Sequence, residues 1–89
     1  MERFFYVYVL LSLKDKMFYT GYTKQLSIRM GQHNAGKCHF TRDRHPLELI
    51  YFEACLDRTD AIARERYLKS GMGKRYIRNR LKISLEALL

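Results

Sequence analysis

Residues 4 to 12 read Phe-Phe-Tyr-Val-Tyr-Val-Leu-Leu-Ser, an apolar and aromatic run that no charge interrupts. It is rich in β-formers and too short for a good helix, so it reads as a buried strand. Lys14-Asp15-Lys16 ends it, and Phe18 to Thr23 is a second β-type run. So short a gap makes an antiparallel hairpin the simplest connection. With a four-residue loop at 13 to 16, Leu10 stands opposite Tyr19 and Tyr8 opposite Gly21.

The next segment changes period. Leu26 to Asn34 reads as a helix, with Leu26, Met30, Arg29 and His33 along one stripe. Asn34-Ala35-Gly36 is a helix stop, Gly36 being suited to a left-handed conformation. Residues 37 to 45 form a basic loop. Pro46 opens a third strand, Leu47 to Ala54, in which Leu47, Leu49 and Tyr51 share one face and Ile50, Phe52 and Ala54 the other, both partly buried. Asp57 or Thr59 can cap a second helix to about Lys69. Ser70-Gly71-Met72-Gly73 interrupts it, and a basic helix follows from about Lys74 to Leu81. The order β-β-α-β-α-α gives an α+β domain: a small three-stranded antiparallel sheet with flanking helices. With 89 residues and no Gly/Ser/Pro-rich linker, the chain makes one unit, read as a domain over 1–82 and a C-terminal tail over 83–89.

The charge is lopsided: 17 Lys+Arg against 9 Asp+Glu, a net +8. Such an excess points to an anionic partner, nucleic acid before a membrane surface. Cys38 and Cys55 are too few to staple a small secreted domain. The apolar start has no small-residue cleavage site after it and is too short to span a bilayer. A reducing cytoplasm is the expected setting, and no membrane association is expected.

Three local features carry chemistry. In the hairpin register above, Tyr8 and Tyr19 lie diagonally on one sheet face, with Gly21 leaving space opposite the Tyr8 ring. A one-residue slip would separate the phenols, and taken alone both read more simply as ordinary strand aromatics. Arg29 and His33, at i and i+4, are helix-surface neighbours. A guanidinium on an apolar stripe needs an anion, either a structural carboxylate or a phosphate. Glu65 interrupts the stripe formed by Ala61, Ile62 and Leu68. It needs a cation: Arg29, another basic side chain, or a metal such as magnesium, for which one carboxylate completed by water and phosphate is a normal site. His33, Cys38, His39 and His45 match no paired zinc-ligand spacing and read as packing and loop residues.

Taken in order, Tyr6-Val7-Tyr8, Tyr19-Thr20-Gly21, Arg29 with His33, and Glu65 on a later helix resemble the GIY-YIG nuclease superfamily, in particular its stand-alone single-domain bacterial members. The resemblance runs from about residue 5 to 80 and includes Asn34, Gly36, Thr41, Arg42, Arg44, Pro46 and the stretch 61 to 69. Tyr6 stands where the first motif has glycine, and Thr20 where the second has isoleucine. Many members carry an asparagine about a dozen residues past the glutamate; here position 77 is isoleucine and Asn79 is an approximate substitute.

The resemblance implies metal-dependent hydrolysis of DNA phosphodiesters, with structure-selective or non-specific cutting and a role in DNA repair or processing. It implies Tyr8 as general base or proton relay, His33 as acceptor of that proton, Tyr19 positioning water or phosphate, Arg29 neutralising the phosphoryl oxygens, and Glu65 holding Mg2+ or Mn2+. Lys24, Lys37, Arg42, Arg44, Lys74, Arg75, Arg78 and Asn79 are the expected DNA contacts, on branched, nicked or single-stranded substrates. Two other readings fit the charge: a non-catalytic nucleic-acid-binding module of the same fold, and a small interaction protein whose basic surface meets an acidic partner.

Overall fold

A computed structural model describes residues 3–89. The first strand is the centre of the molecule. β1 (Phe5–Ser12) pairs antiparallel with β2 (Phe18–Thr23) on one side and with β3 (Leu47–Cys55) on the other, in the order β2-β1-β3. Between the strands come helix α1 (Leu26–Asn34) and, after β3, α2 (Arg58–Lys69), α3 (Gly71–Arg80) and α4 (Lys82–Leu88). This is the α+β architecture expected from the sequence. Among the described residues no helix is long and apolar enough to cross a membrane.

Alternation along β1 assigns its two faces. Val7 and Val9, each at most 1% exposed, pack with Ala61 and Leu68 of α2 and Ile77 of α3. Tyr6, Tyr8 and Leu10 point the other way, where Tyr6 and Tyr8 meet α1. A strand covered on both faces has no use for polar positions, which explains the unbroken apolar run. The hairpin pairs Leu10 with Tyr19 and Tyr8 with Gly21, the register read from the sequence. Its loop closes through Lys16, whose N–H donates to the Ser12 carbonyl at 2.8 Å and whose φ is +63°. Past α1, Gly36 takes a φ of +73°.

Three expectations require correction. In β3, Tyr51 pairs with Val9 and Leu49 with Leu10, so Ile50 is an extra residue at a β-bulge. The bulge flips the alternation: Ile50 and Tyr51 both pack against the Val7/Val9 core, while Leu49 turns to the Leu10 face. The outer end of that second face is open, Phe52 being 51% exposed. Second, Gly71 to Gly73 do not interrupt the helices at length. Ser70 alone is the break, its hydroxyl accepting from the Gly73 N–H at 3.2 Å, and α3 begins at Gly71. Gly73 is needed for contact, since a Cβ there would lie 2.5 Å from Leu68 Cα. Third, residues 83–88 of the segment read as a C-terminal tail join Lys82 in helix α4, and Leu85 is buried.

Candidate active site

Gly21 is where the site begins. The Tyr8 ring lies across it, and a Cβ at that position would run into the phenol, 2.7 Å from its ζ-carbon. The ring thus crosses the edge strand at the one residue of β2 without a side chain, and its hydroxyl reaches α1. There the Tyr8 oxygen lies 3.0 Å from His33 Nε2 and accepts from Arg29 Nε at 3.3 Å. The i,i+4 spacing of Arg29 and His33 aims both at one phenol.

His33 is 4% exposed, and its other nitrogen, Nδ1, lies 2.7 Å from Thr41 Oγ1, itself 2% exposed. The distances accommodate a relay in which Arg29 donates to Tyr8, Tyr8 donates to Nε2, and Nδ1–H donates to Thr41. Burial, reinforced by the Arg29 charge, holds the His33 pKa below its ordinary value. Burial pushes the Tyr8 phenol up, against the opposing hydrogen bond from Arg29. The resting pair is therefore a neutral imidazole beside a neutral phenol.

Arg29 has no carboxylate within ion-pair distance among the described residues. Its other nitrogens reach Gln32 Oε1 at 2.9 Å and Cys38 Sγ at 3.5 Å. Of the two ways a guanidinium here could be satisfied, the structural carboxylate is not the one used. Glu65 does not pair with Arg29 either. Its carboxylate, 19% exposed, has Lys69 Nζ as its ion-pair partner one helical turn away at 3.6 Å, beyond hydrogen-bond reach.

Tyr19 shares the Tyr8 face, as the register requires, but its hydroxyl is engaged. It donates to Asp15 Oδ2 at 2.9 Å, and the same oxygen lies 3.5 Å from Arg44 Nε. Burial and the Asp15 carboxylate raise the Tyr19 pKa.

All five expected residues, Tyr8, Tyr19, Arg29, His33 and Glu65, line one cleft of about 590 Å³. The cleft is not built on a single sheet face. Tyr19 and Gly21 belong to the α1 face, whereas Thr20 and Tyr22, also in the lining, belong to the α2 face. The cleft runs over the edge strand β2, and Glu65 enters from α2 on the far side of the sheet. Of the eight expected DNA contacts, only Arg44 and Lys74 line it. Lys24 lies over the Phe5 ring and Arg78 over the Phe18 ring, 5.2 and 5.3 Å from the centroids. Lys37, Arg42, Arg75 and Asn79 are exposed outside the cleft lining.

Sequence reasoning missed Lys69, Cys38 and Phe40 in the lining, and the roles of Thr41 and Asp15. Lys69 was findable as the i+4 partner of Glu65. Thr41 sits eight residues past His33 in an irregular loop, where no periodicity points inward.

No group of three or more His, Cys, Asp or Glu side chains among the described residues is arranged to hold a metal ion. The cleft fits a cation differently. The Glu65 carboxylate has lone pairs free of hydrogen bonds and faces the hollow where Arg29 lacks an anion. One carboxylate completed by water and a phosphate is a sufficient donor set for magnesium.

Comparison with known proteins gives a consistent answer. A family model described as the GIY-YIG catalytic domain matches residues 4–80. A UPF0213 protein of Haloquadratum walsbyi is 39% identical over 71 residues, covering 79% of each chain. A UPF0213 protein of Clostridium perfringens is 43% identical over 65 residues, covering 72% of this chain and 69% of that one. The solution structure of a UPF0213 protein from Bacillus halodurans superposes with a TM-score of 0.52 at 34% identity, covering 83% of this chain and 81% of that one.

Proposed function

The chain belongs to the GIY-YIG family of nuclease domains, and we propose that it is a metal-dependent endonuclease hydrolysing DNA phosphodiester bonds, with Tyr8, Tyr19, Arg29, His33 and Glu65 as its catalytic set. The observation that carries this reading is the Tyr8 hydroxyl, held between His33 Nε2 and Arg29 Nε in a cleft that Glu65 also lines.

A phenol is a poor base at neutral pH, because its pKa is near 10 and burial here raises it further. Passing its own proton to His33 Nε2 while taking one from the attacking water removes that obstacle. The neutral imidazole, kept so by burial, is ready to accept. Arg29 lies where charge grows on the phosphoryl oxygens, and an unneutralised guanidinium preorganised for that charge lowers the barrier. Tyr19 donates to the phosphate after exchanging Asp15 for it. Glu65 would hold the cation, Mg2+ or Mn2+, which when bound supplies Lewis acidity to the phosphate oxygens. Arg44, Lys69 and Lys74 surround this centre with positive charge suited to the neighbouring phosphates.

Residues 1–82 are the proposed catalytic unit. The net charge of +8 and the free thiols of Cys38 and Cys55 support a DNA-processing or repair role in a reducing cytoplasm. A cleft lined by basic side chains suited to phosphates favours structure-selective or non-specific cutting.

The test is cleavage of supercoiled plasmid and branched DNA by purified protein with magnesium or manganese, against a chelator control. Nicking that needs the metal supports the proposal. Binding with no cleavage of any substrate would instead identify a non-catalytic DNA-binding module.

A further inference from the structure

The loop between α1 and β3 carries Phe40 with 79% of its surface exposed. Scattered apolar residues on a surface need no explanation, but Phe40 also lines the cleft that holds Tyr8, Arg29 and Glu65. The residues around it are tied down. Cys38 and Thr41, on either side of the His39-Phe40 pair, are 8% and 2% exposed. The N–H groups of Thr41 and Arg42 both donate to the Cys38 carbonyl, at 3.2 and 3.0 Å. Thr41 is tied to His33, and the far end of the loop to the hairpin, where Ser12 Oγ donates to the Arg44 carbonyl. His39 braces the phenyl edge-on, with centroids 5.5 Å apart and planes at 78°. The turn therefore holds an aromatic face out at the rim of the cleft.

We propose that Phe40 is a stacking platform for an unpaired nucleobase, so that the substrate is DNA with an extrahelical or single-stranded nucleotide beside the scissile phosphodiester. The proposal rests on the reading of the cleft as a phosphodiester site. A phenyl group has no hydrogen-bonding atom, so it offers a base only its π-face. In a duplex both faces of each base are covered by neighbours, and the grooves present only edges. Only a base outside the stack can lie on Phe40. Arg29, Arg44, Lys69 and Lys74 lie in the same cleft to take the adjoining phosphates, and about 590 Å³ is ample for a nucleotide.

The test uses the full chain and two DNA probes in chelator: a duplex with a single bulged 2-aminopurine, and the same duplex fully paired. Affinity and 2-aminopurine fluorescence are measured for wild type, Phe40→Ala and Phe40→Trp. The expected result is roughly ten-fold tighter binding of the bulged probe by wild type, with quenched fluorescence. Phe40→Ala should lose both while binding the paired duplex within about two-fold of wild type, and Phe40→Trp should keep both. Equal binding of the two probes, an unquenched base, or an unaltered Phe40→Ala overturns the proposal. So does a dimer that Phe40→Ala dissolves without affecting DNA binding, which would assign the ring to a second copy of the chain. Cleavage with magnesium is scored separately. Metal-dependent cutting with no Phe40 effect removes the platform and leaves the nuclease; stacking without cutting does the reverse.

Discussion

The Tyr8 ring lies directly over Gly21, and a Cβ on residue 21 would fall 2.7 Å from the ζ-carbon of the phenol. Gly21→Ala therefore forces the ring off its path to His33 and Arg29. Overpacking of this kind costs about 1–3 kcal/mol. Cleavage should fall by at least ~100-fold, since an ångström of misplacement is enough for that. Thermal melting and a nicking assay on the same preparation check both effects. A variant that cuts at the wild-type rate would mean the Tyr8 position does not matter.

Thr41 holds the far nitrogen of His33 at 2.7 Å in a nearly water-free setting. Thr41→Val keeps the shape and leaves Nδ1 without a partner, a cost of about 1–3 kcal/mol. It also frees the imidazole to take the other tautomer, so kcat should fall with KM little changed. Thr41→Ser, which retains the hydroxyl, should restore most of the rate. Equal rates for the two variants would show that the hydroxyl does nothing beyond filling space.

Because burial depresses the His33 pKa in the folded chain, the unfolded chain takes up a proton near its ordinary pKa of about 6.5 that the folded chain resists. The stability contributed is full above about pH 6.5 and is lost as pH falls toward the folded value. Wild type should lose melting temperature below about pH 6.5 more steeply than His33→Gln, whose difference from wild type removes the contributions of His39 and His45. The cleavage rate should show an acid limb in the same region, where His33 can no longer accept a proton. Parallel melting curves for the two proteins would contradict the depressed pKa.

Much of this was written in local sequence. The run from 4 to 12 made β1, and the short gap after it set a hairpin whose register put Tyr8 opposite Gly21. The four-residue spacing of Arg29 and His33 put both beside one hydroxyl. What was hidden depended on partners distant in the chain. The bulge at Ile50 answers to the pairing with Val9 and Leu10, so an alternating pattern read from β3 alone misassigned its faces. Glu65 was identifiable as a misfit on its helix, but its approach from the opposite side of the sheet, over β2, follows from how α2 docks. The Asp15 carboxylate that occupies Tyr19, and Thr41 behind His33, lie in loops, where no periodicity marks the inward residues.

Glu65 and Tyr8 are proposed to serve one hydrolytic centre. The most direct measurement is the initial rate of plasmid nicking in magnesium for wild type, Glu65→Ala and Tyr8→Phe, each checked for folding by melting. Lys69 is 58% exposed and lies 3.6 Å from Glu65, so the i,i+4 pair contributes only about 0.3–0.5 kcal/mol, and Glu65→Ala should melt close to wild type. Wild type should nick in a metal-dependent way, with both variants folded and at least ~100-fold slower. Folded variants that nick as fast as wild type would contradict it.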